Sequence, residues 1–458
     1  MVSSSIIKKL HKIIGKDGIK TNKEELVCYS YDAAASTFLP DAVLFPENED
    51  QISQVLNLAN KELFYVTPRG SGSGMTGGSV PVKGGIVMVM NQLNKIINID
   101  TDNLYVKVEP GVITGDLHKA VEAKGLFYPP DPASSSFCTI GGNIGECAGG
   151  PRAVKYGVTR DYVLGLKAVL GSGKKVKTGV TTKKGVAGYD LTRLLTGSEG
   201  TLAIISEITL KLLALPEKVK TMALLFKNLD DAADMVSAII SKSVLPRCIE
   251  FLDKTSIHCV KEHFGFNIVD SVEALLIVEI DGDAAQVDKN FARLIKFCET
   301  RDVFKIIVAD NKKEADELWK ARKALSPALF KLAPNKINED IVVPVNKIPK
   351  MVRKIELIKK ENKLFITSFG HAGDGNIHCN IMYDKQNPDE LIKAQLAVEQ
   401  LFSSTLELGG TITGEHGVGI TKMKYLANEI GQVELQLMRD IKKVFDPKGI
   451  LNPGKIFY

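Results

Sequence analysis

Pro68-Arg69-Gly70-Ser71-Gly72-Ser73-Gly74-Met75-Thr76-Gly77-Gly78 is the stretch on which the reading of this chain turns. It follows an apolar run, Leu63–Thr67, that reads as a strand. Gly72, Gly74 and Gly77 satisfy G-x-G-x-x-G, but the context is wrong for a Rossmann fold. A Rossmann loop opens a helix at once, so that the pyrophosphate lies on a helix N-terminus. Here Val80-Pro81-Val82-Lys83-Gly84-Gly85 follows, and then another strand. The alternative is a backbone nest. Glycines lack Cβ, so consecutive N–H groups can approach a phosphate and cradle its oxygens. Arg69, Ser71, Ser73 and Thr76 can add donors.

Outward from this loop, Leu39 to Leu215 alternates short strands, glycine turns and a few helices. Ala42–Phe45, Gly85–Met90 and Leu104–Val108 read as strands; Ile52–Asn60 and Leu117–Lys124 read as helices. Leu164–Leu170 and Lys174–Thr178 flank Gly171-Ser172-Gly173, a hairpin pattern. A second loop, Pro129 to Gly145, is built of prolines, small hydroxyl residues and glycines, and suits extended backbone pressed against a flat ligand. Tyr156–Tyr162 and Thr196–Leu202 are two further turn-like segments. At the start, Ile6, Ile7, Leu10, Ile13 and Ile14 recur at helical spacing among lysines, an amphipathic helix and not a secretory core.

The texture changes after Pro216 to Lys220, which reads as a connector. Strand-like Met222–Phe226, Arg247–Phe251, Ala274–Ile280 and Val303–Val308 then alternate with charged helices over Asp230–Ser241, Ala285–Glu299 and Lys312–Leu332. A closing helix is expected over Glu434–Phe445. The 458 residues carry 44% hydrophobic and 25% charged side chains, enough for packed cores in an ordinary globular protein. Lysine and arginine exceed aspartate and glutamate by five, without a long basic run, so composition gives no case for nucleic acid. The seven cysteines are irregularly spaced and include no Cys-x-x-Cys pair. That argues against a disulfide scaffold, a zinc ribbon or an iron–sulfur cluster in this chain, and fits a reducing cytoplasm. No stretch is apolar for long enough to span a membrane.

Two short motifs concentrate the chemistry. Strand Leu364–Phe369 leads into Gly370-His371-Ala372-Gly373-Asp374-Gly375-Asn376-Ile377-His378-Cys379-Asn380. Asp374-Gly375 is a turn signal, so His371 would close one strand and His378 would begin the next. His378 and Asn380, two apart, share a face. The second motif is Thr413-Gly414-Glu415-His416-Gly417-Val418-Gly419. Two histidines and a carboxylate with an open position suit a catalytic divalent metal. His11, His118, His258 and His263 have no such setting and read as structural or surface.

Together these segments resemble the FAD-linked oxidases of the vanillyl-alcohol-oxidase type. The resemblance is narrower to the branch of glycolate oxidase catalytic subunits and D-lactate dehydrogenases. It rests on Pro68–Gly78, Pro130–Asn143, Tyr156–Tyr162, Gly197–Gly200, Gly370–His378, Gly414–Gly419 and Asn452–Lys455. It implies an α+β fold: a two-lobed FAD-binding domain of the PCMH type, an α+β substrate cap domain, and a C-terminal helical segment returning to the flavin domain. The expected divisions are an N-terminal helical segment at 1–38, the FAD domain at 39–216, the cap at 217–410 and the returning segment at 411–458.

The family pattern carries over residue by residue as expectation. FAD contacts are implied at Arg69, Gly70, Ser71, Gly72, Ser73, Gly74, Thr76 and Gly77 of the first loop. In the second they are implied at Asp131, Pro132, Ser134, Thr139, Gly141, Gly142, Asn143 and Gly145. Tyr156, Gly157, Glu199, Gly200, Ile204 and Asn452 complete the set. Members with covalent flavin carry His where this chain has Ser73, so FAD is expected without a covalent link. His371, His378 and Glu415 correspond to ligands of zinc, or of manganese or iron, and His416 to the general base. Arg322 corresponds to a substrate carboxylate clamp, although its charged neighbours equally read as a solvated helix face. Lys336 and Asn380 are further substrate candidates. The implied reaction is oxidation of a small D-2-hydroxy acid to the 2-oxo acid, with a longer acid such as D-2-hydroxyglutarate as the alternative. A nicotinamide enzyme would rest on the G-x-G-x-x-G match alone. A non-catalytic FAD-binding subunit would be expected to lack both histidine motifs. With no cluster of its own, the chain needs an external electron acceptor: an iron–sulfur subunit or an electron-transfer flavoprotein in the first place, with a quinone or oxygen as alternatives. Such a partner could also hold it at a membrane. Self-association into a homo-oligomer is left open.

Overall fold

The computed structural model describes residues 2–457 apart from 35 and 243. They fall into two units. The first takes Met1–Gly149, Val158–Leu215 and Glu415–Tyr458; the second takes Gly150–Gly157 and Pro216–Gly414.

In the first unit, β1 (Ile19–Lys20), β2 (Ala42–Leu44), β3 (Val66–Arg69) and β4 (Ile86–Val89) form a sheet in the order β1-β2-β4-β3. The strands β2 and β4 are apolar without alternation and wholly buried, as strands covered on both faces must be. Helix Ser4–Ile14 and helix Glu49–Glu62 supply cover through Ile6, Leu10 and Ile14, and through Ile52, Val55, Leu56 and Ala59. The latter helix ends on Leu63 in the left-handed region (φ 57°), so the strand expected from Leu63 starts at Val66. β3 and β4 are parallel, and residues 70–85 join them without a helix. The glycine loop is therefore not a Rossmann turn, as its context indicated.

The remaining strands of this unit are β5 (Ile96–Asp100), β6 (Tyr105–Val108), β7 (Leu126–Phe127), β8 (Val163–Leu170), β9 (Lys175–Gly179), β10 (Ala203–Lys211) and β11 (Leu213–Ala214). Five make an antiparallel sheet in the order β5-β6-β10-β8-β9, and β7 pairs with β11. The β8–β9 hairpin turns at Gly171–Gly173 as the sequence pattern required. Helix Gln432–Phe445 precedes a tail that lies parallel beside β3. There Val66 N–H donates to Ile450 O and Asn452 N–H to Val66 O, each at 2.9 Å.

The second loop corrects one expectation. Its end is not extended: Ile140–Glu146 is a short helix. Thr139 caps it by accepting the Gly142 N–H at 3.2 Å, and that local bond outweighs the glycines' poor helix propensity.

The second unit is a seven-stranded antiparallel sheet. Its strands are β12 (Lys218–Phe226), β13 (Cys248–Asp253), β14 (Ala274–Gly282), β15 (Lys305–Val308), β16 (Asn335–Val342), β17 (Phe365–His371) and β18 (Asn376–Tyr383). The order is β15-β12-β14-β13-β17-β18-β16. Helices Leu229–Ile240, Ala284–Glu299, Lys312–Ala328, Ile348–Asn362 and Pro388–Glu407 belong to this unit. The expected connector up to Lys220 is shorter than its charge suggested. Lys218 to Lys220 pair with Gly282 to Ile280 of β14, while the Lys218 and Lys220 ammonium groups reach Asp288 at 2.7 and 2.8 Å. Cross-strand pairing overrides the local charge pattern here.

Candidate active site

The two glycine loops meet in the first unit. A Cβ on Gly70 would stand 2.3 Å from Thr139 Oγ1, and one on Gly141 2.6 Å from Pro110 Cβ. Gly72, at φ +72°, covers the Arg69 guanidinium so closely that its Cβ would lie 2.1 Å from Nη2. Arg69 Nη1 donates to Tyr31 O at 2.7 Å and to Ser79 Oγ at 3.3 Å. Arg69 thus shapes the loop from beneath. The result is an open cleft of about 100 Å³. Arg69, Gly70, Thr139, Gly141, Gly142, Gly145, Glu199, Gly200 and Ile204 line it, together with Glu146 and Ser198, which sequence reasoning missed.

Glu199 holds the second half of the Gly414–Gly419 motif. Its carboxylate accepts the Val418 N–H at 2.8 Å and the Gly419 N–H at 2.7 Å. Burial raises its pKa, and the two N–H bonds and nearby lysines oppose that rise. Thr76 Oγ1 donates to His416 O at 3.0 Å. A Cβ on Gly417 would meet Glu146 Oε2 at 2.3 Å, and one on Gly419 would meet Thr76 O at 2.1 Å. The motif's glycines are there for close approach. His416 Nε2 lies 4.0 Å from Glu415 Oε1.

In the second unit the β17–β18 hairpin turns on Gly375 at φ +88°. His371 closes β17 and His378 is the third residue of β18. Both rings are buried and almost perpendicular, with Nε2 atoms 3.4 Å apart. Glu250 of β13 pairs in register with His371 and its carboxylate bonds His371 Nδ1. The other oxygen accepts Arg322 Nε at 2.6 Å. Burial alone would raise the Glu250 pKa, but the His371 and Arg322 charges beside it pull it down to about 2. A carboxylate on Nδ1 orients the His371 ring so that its Nε2 faces Nε2 of His378, a nitrogen pair suited to a divalent metal. Glu250 was illegible in the sequence, where it sits in an ordinary strand.

Arg322 is buried, with its guanidinium 4.7 Å over the Phe369 ring, so the solvated-face reading does not hold. Asn380 is fully buried beyond His378 and accepts from Asn338 Nδ2 at 2.7 Å. Lys336 Nζ donates to Ser326 Oγ at 2.7 Å, and burial lowers its pKa. Asp340 stands opposite His378 in the β16–β18 register and accepts the Gly414 N–H at 2.9 Å. Glu415 is the next residue in the chain.

Residues 215–456 match the family of FAD linked oxidases, C-terminal domain, and residues 40–179 match the FAD binding domain. The chain belongs to the FAD-linked oxidase family. Among its relatives, the glycolate oxidase subunit GlcD of Bacillus subtilis is 42% identical over all of this chain and 97% of its own length. D-lactate dehydrogenase of Anaerostipes hadrus is 36% identical over 92% of this chain and 90% of its own. D-2-hydroxyglutarate dehydrogenase of Stutzerimonas stutzeri is 30% identical over the full length of both. Among solved structures, p-cresol methylhydroxylase with substrate bound aligns at a TM-score of 0.82, with 18% identity, over 99% of this chain and 97% of its own. That likeness bears on the fold and agrees with the mixed, PCMH-type architecture expected from sequence.

This FAD-linked oxidase is an oxidoreductase that uses FAD. The residues present fit the cofactor. Glycine nests line the cleft, and the buried Asn452 Oδ1 has no protein partner while Nδ2 donates to Gly78 O at 2.8 Å and Glu199 O at 2.7 Å. Not every residue expected at the cofactor lines the cleft. Ser71, Gly72, Ser73, Gly74, Thr76 and Gly77 continue the first loop beyond it, and Asp131, Pro132 and Ser134 precede the Thr139 cap. Asn143 Nδ2 donates inward to Thr114 Oγ1 at 2.8 Å. Tyr156 and Gly157 lie in the second unit, where the Tyr156 hydroxyl donates to Asp281 at 2.8 Å. Among the described residues, no helix is long and apolar enough to cross a membrane.

Proposed function

We propose that this oxidase converts a short D-2-hydroxy acid, of the D-lactate or glycolate type, into its 2-oxo acid. The observation that carries the reading is the facing His371 and His378 nitrogen pair, 3.4 Å apart, in a chain similar along its length to a glycolate oxidase subunit and a D-lactate dehydrogenase. In this reading His371, His378 and Glu415 hold zinc, or manganese or iron. Glu415 is supported by its peptide bond to Gly414, which Asp340 holds opposite His378. A bound divalent ion supplies Lewis-acid polarisation of the substrate hydroxyl. The His416 imidazole accepts the hydroxyl proton. Arg322, with Nε spent on Glu250, offers its remaining N–H donors to the carboxylate. Bound FAD, without a covalent link, supplies the acceptor for the Cα hydride. The electrons then leave to an external acceptor, an iron–sulfur subunit or an electron-transfer flavoprotein. The seven cysteines without a paired motif and the subunit name of a relative support that step. A cytoplasmic protein, which such a partner can also hold at a membrane, fits the same features.

The test is His416→Ala with D-lactate and glycolate and a dye as acceptor. Turnover should fall by about 10²- to 10⁴-fold with flavin content unchanged; intact turnover would remove His416 as the base. Dialysis against a chelator should abolish activity and divalent metal should restore it; full activity in verified metal-free protein would remove the metal. A second reading, D-2-hydroxyglutarate as substrate, is favoured by the full-length similarity to the Stutzerimonas enzyme. Comparing kcat/KM for the three acids separates the two.

A further inference from the structure

The loop that follows β9 has no part in the proposed reaction. From Gly171 to Tyr189 the chain carries Lys174, Lys175, Lys177, Lys183 and Lys184 and not one aspartate or glutamate. Every residue from Gly179 to Asp190 is exposed. Among them Val186 stands 97% exposed and Tyr189 96% exposed, so both apolar side chains stand almost wholly in water. Thr182 Oγ1 donates to Lys184 O at 2.7 Å, and the exposed residues 185–188 follow that turn.

An ordinary explanation covers only part of this. β9 is the edge of its sheet, and lysines on an edge strand discourage strand-to-strand association. That accounts for Lys175 and Lys177. It does not account for two more lysines beyond the strand, nor for an aromatic and a branched apolar side chain held out beside them. The acidic groups nearby are already engaged. Glu49 and Asp50 pair with Lys175, while Asp190 caps helix Leu191–Leu195 and, with Asp161, lies near Arg193. The positive charge of Lys174, Lys177, Lys183 and Lys184 therefore faces outward.

We propose that residues 174–189 form a reversible docking element for an anionic lipid surface. The charge attracts acidic headgroups. Tyr189 is amphipathic and suits the headgroup level, Val186 the acyl boundary, and lysine stems can lie along the interface with their ammonium groups in water. An acidic protein would satisfy the lysines, but it would need a pocket for each apolar tip, whereas a bilayer accepts both without one. Each lysine brought to an acidic surface strengthens partitioning roughly fivefold, enough for reversible but not permanent attachment.

The test is co-sedimentation of the full-length FAD-loaded protein with vesicles of phosphatidylcholine alone and with equimolar phosphatidylcholine and phosphatidylglycerol. The protein should pellet with the acidic vesicles at low salt and be released toward ~1 M salt, where the screening length falls to about 3 Å. Lys183→Glu with Lys184→Glu should lose more than ~20-fold in partitioning. Val186→Ser with Tyr189→Ser should keep the salt dependence and lose roughly tenfold. Dye-linked turnover should be unchanged in both, which reports an intact fold. Equal pelleting with neutral and acidic vesicles, or wild-type binding by the lysine variant, overturns the proposal. So does failure to bind vesicles with retention on immobilised poly-glutamate, which would assign the lysines to an acidic protein. The readout needs no substrate, so its failure and that of the hydroxy-acid reading are separable.

Discussion

Glu250 is a carboxylate whose work is to aim two other side chains. It takes His371 Nδ1 on one oxygen and Arg322 Nε on the other. Glu250→Gln should weaken retention of divalent metal about 10- to 100-fold in chelator competition, with FAD content unchanged. The histidines themselves were legible, because ionisable residues spaced by glycines carry chemistry more often than packing. Glu250 was not, because its role comes from the β13–β17 register and not from any neighbour in sequence. A second residue prediction concerns Lys455, which donates to Val80 O at 2.6 Å. Burial lowers its pKa to about 8, against the pull of Asp32, Glu199 and Glu146. Between about pH 8 and its ordinary value near 10.4 the unfolded chain binds the extra proton, so this lysine makes stability rise with pH. Burial raises the Cys298 thiol to about 11, and such groups act in the opposite sense. The informative quantity is therefore a difference. The unfolding free energy of wild type minus that of Lys455→Met, from denaturant titrations, should increase by on the order of 2–3 kcal/mol across that window. A flat difference would contradict the buried, strained ammonium.

At the scale of elements, the β17–β18 hairpin is the device that brings two histidines seven residues apart to within 3.4 Å. Its turn was readable from Asp374-Gly375, since only glycine accepts the φ of +88° without strain. A Cβ there would also stand 2.0 Å from Val343 O. Gly375→Ala should cost about 1–3 kcal/mol, seen as a lower thermal midpoint, and should reduce metal retention by displacing His378. If stability falls with metal affinity intact, the turn does not govern the histidine spacing. Two elements escaped the sequence for opposite reasons. Lys218–Lys220 looked like a linker because its charges hid a strand that only β14 reveals. Ile140–Glu146 looked extended because glycines mask a helix that one threonine cap begins.

At the scale of the whole molecule, the change in texture at Pro216 was visible, but the short excursion Gly150–Gly157 into the second unit was not. Lys155 and Tyr156 fix it there on Asp281, a pairing between positions too distant for any local pattern to announce. Heat or acid denaturation followed by ultrafiltration should send the flavin into the filtrate, because Ser73 offers no imidazole for attachment. Yellow colour retained with the polypeptide would contradict this. The first unit also has an order of assembly written into it. The edge strand β3 is covered by Ile450 to Asn452, and Asn452 reaches Gly78 across 374 positions of chain. At about 5–20 residues per second a ribosome needs roughly 20–75 s to cover that interval. During that time the strand edge stays open while the second unit can already form. Flavin loading is thus an event that follows synthesis. A chain halted before Asp446 should yield a folded second unit and a colourless, aggregation-prone first one.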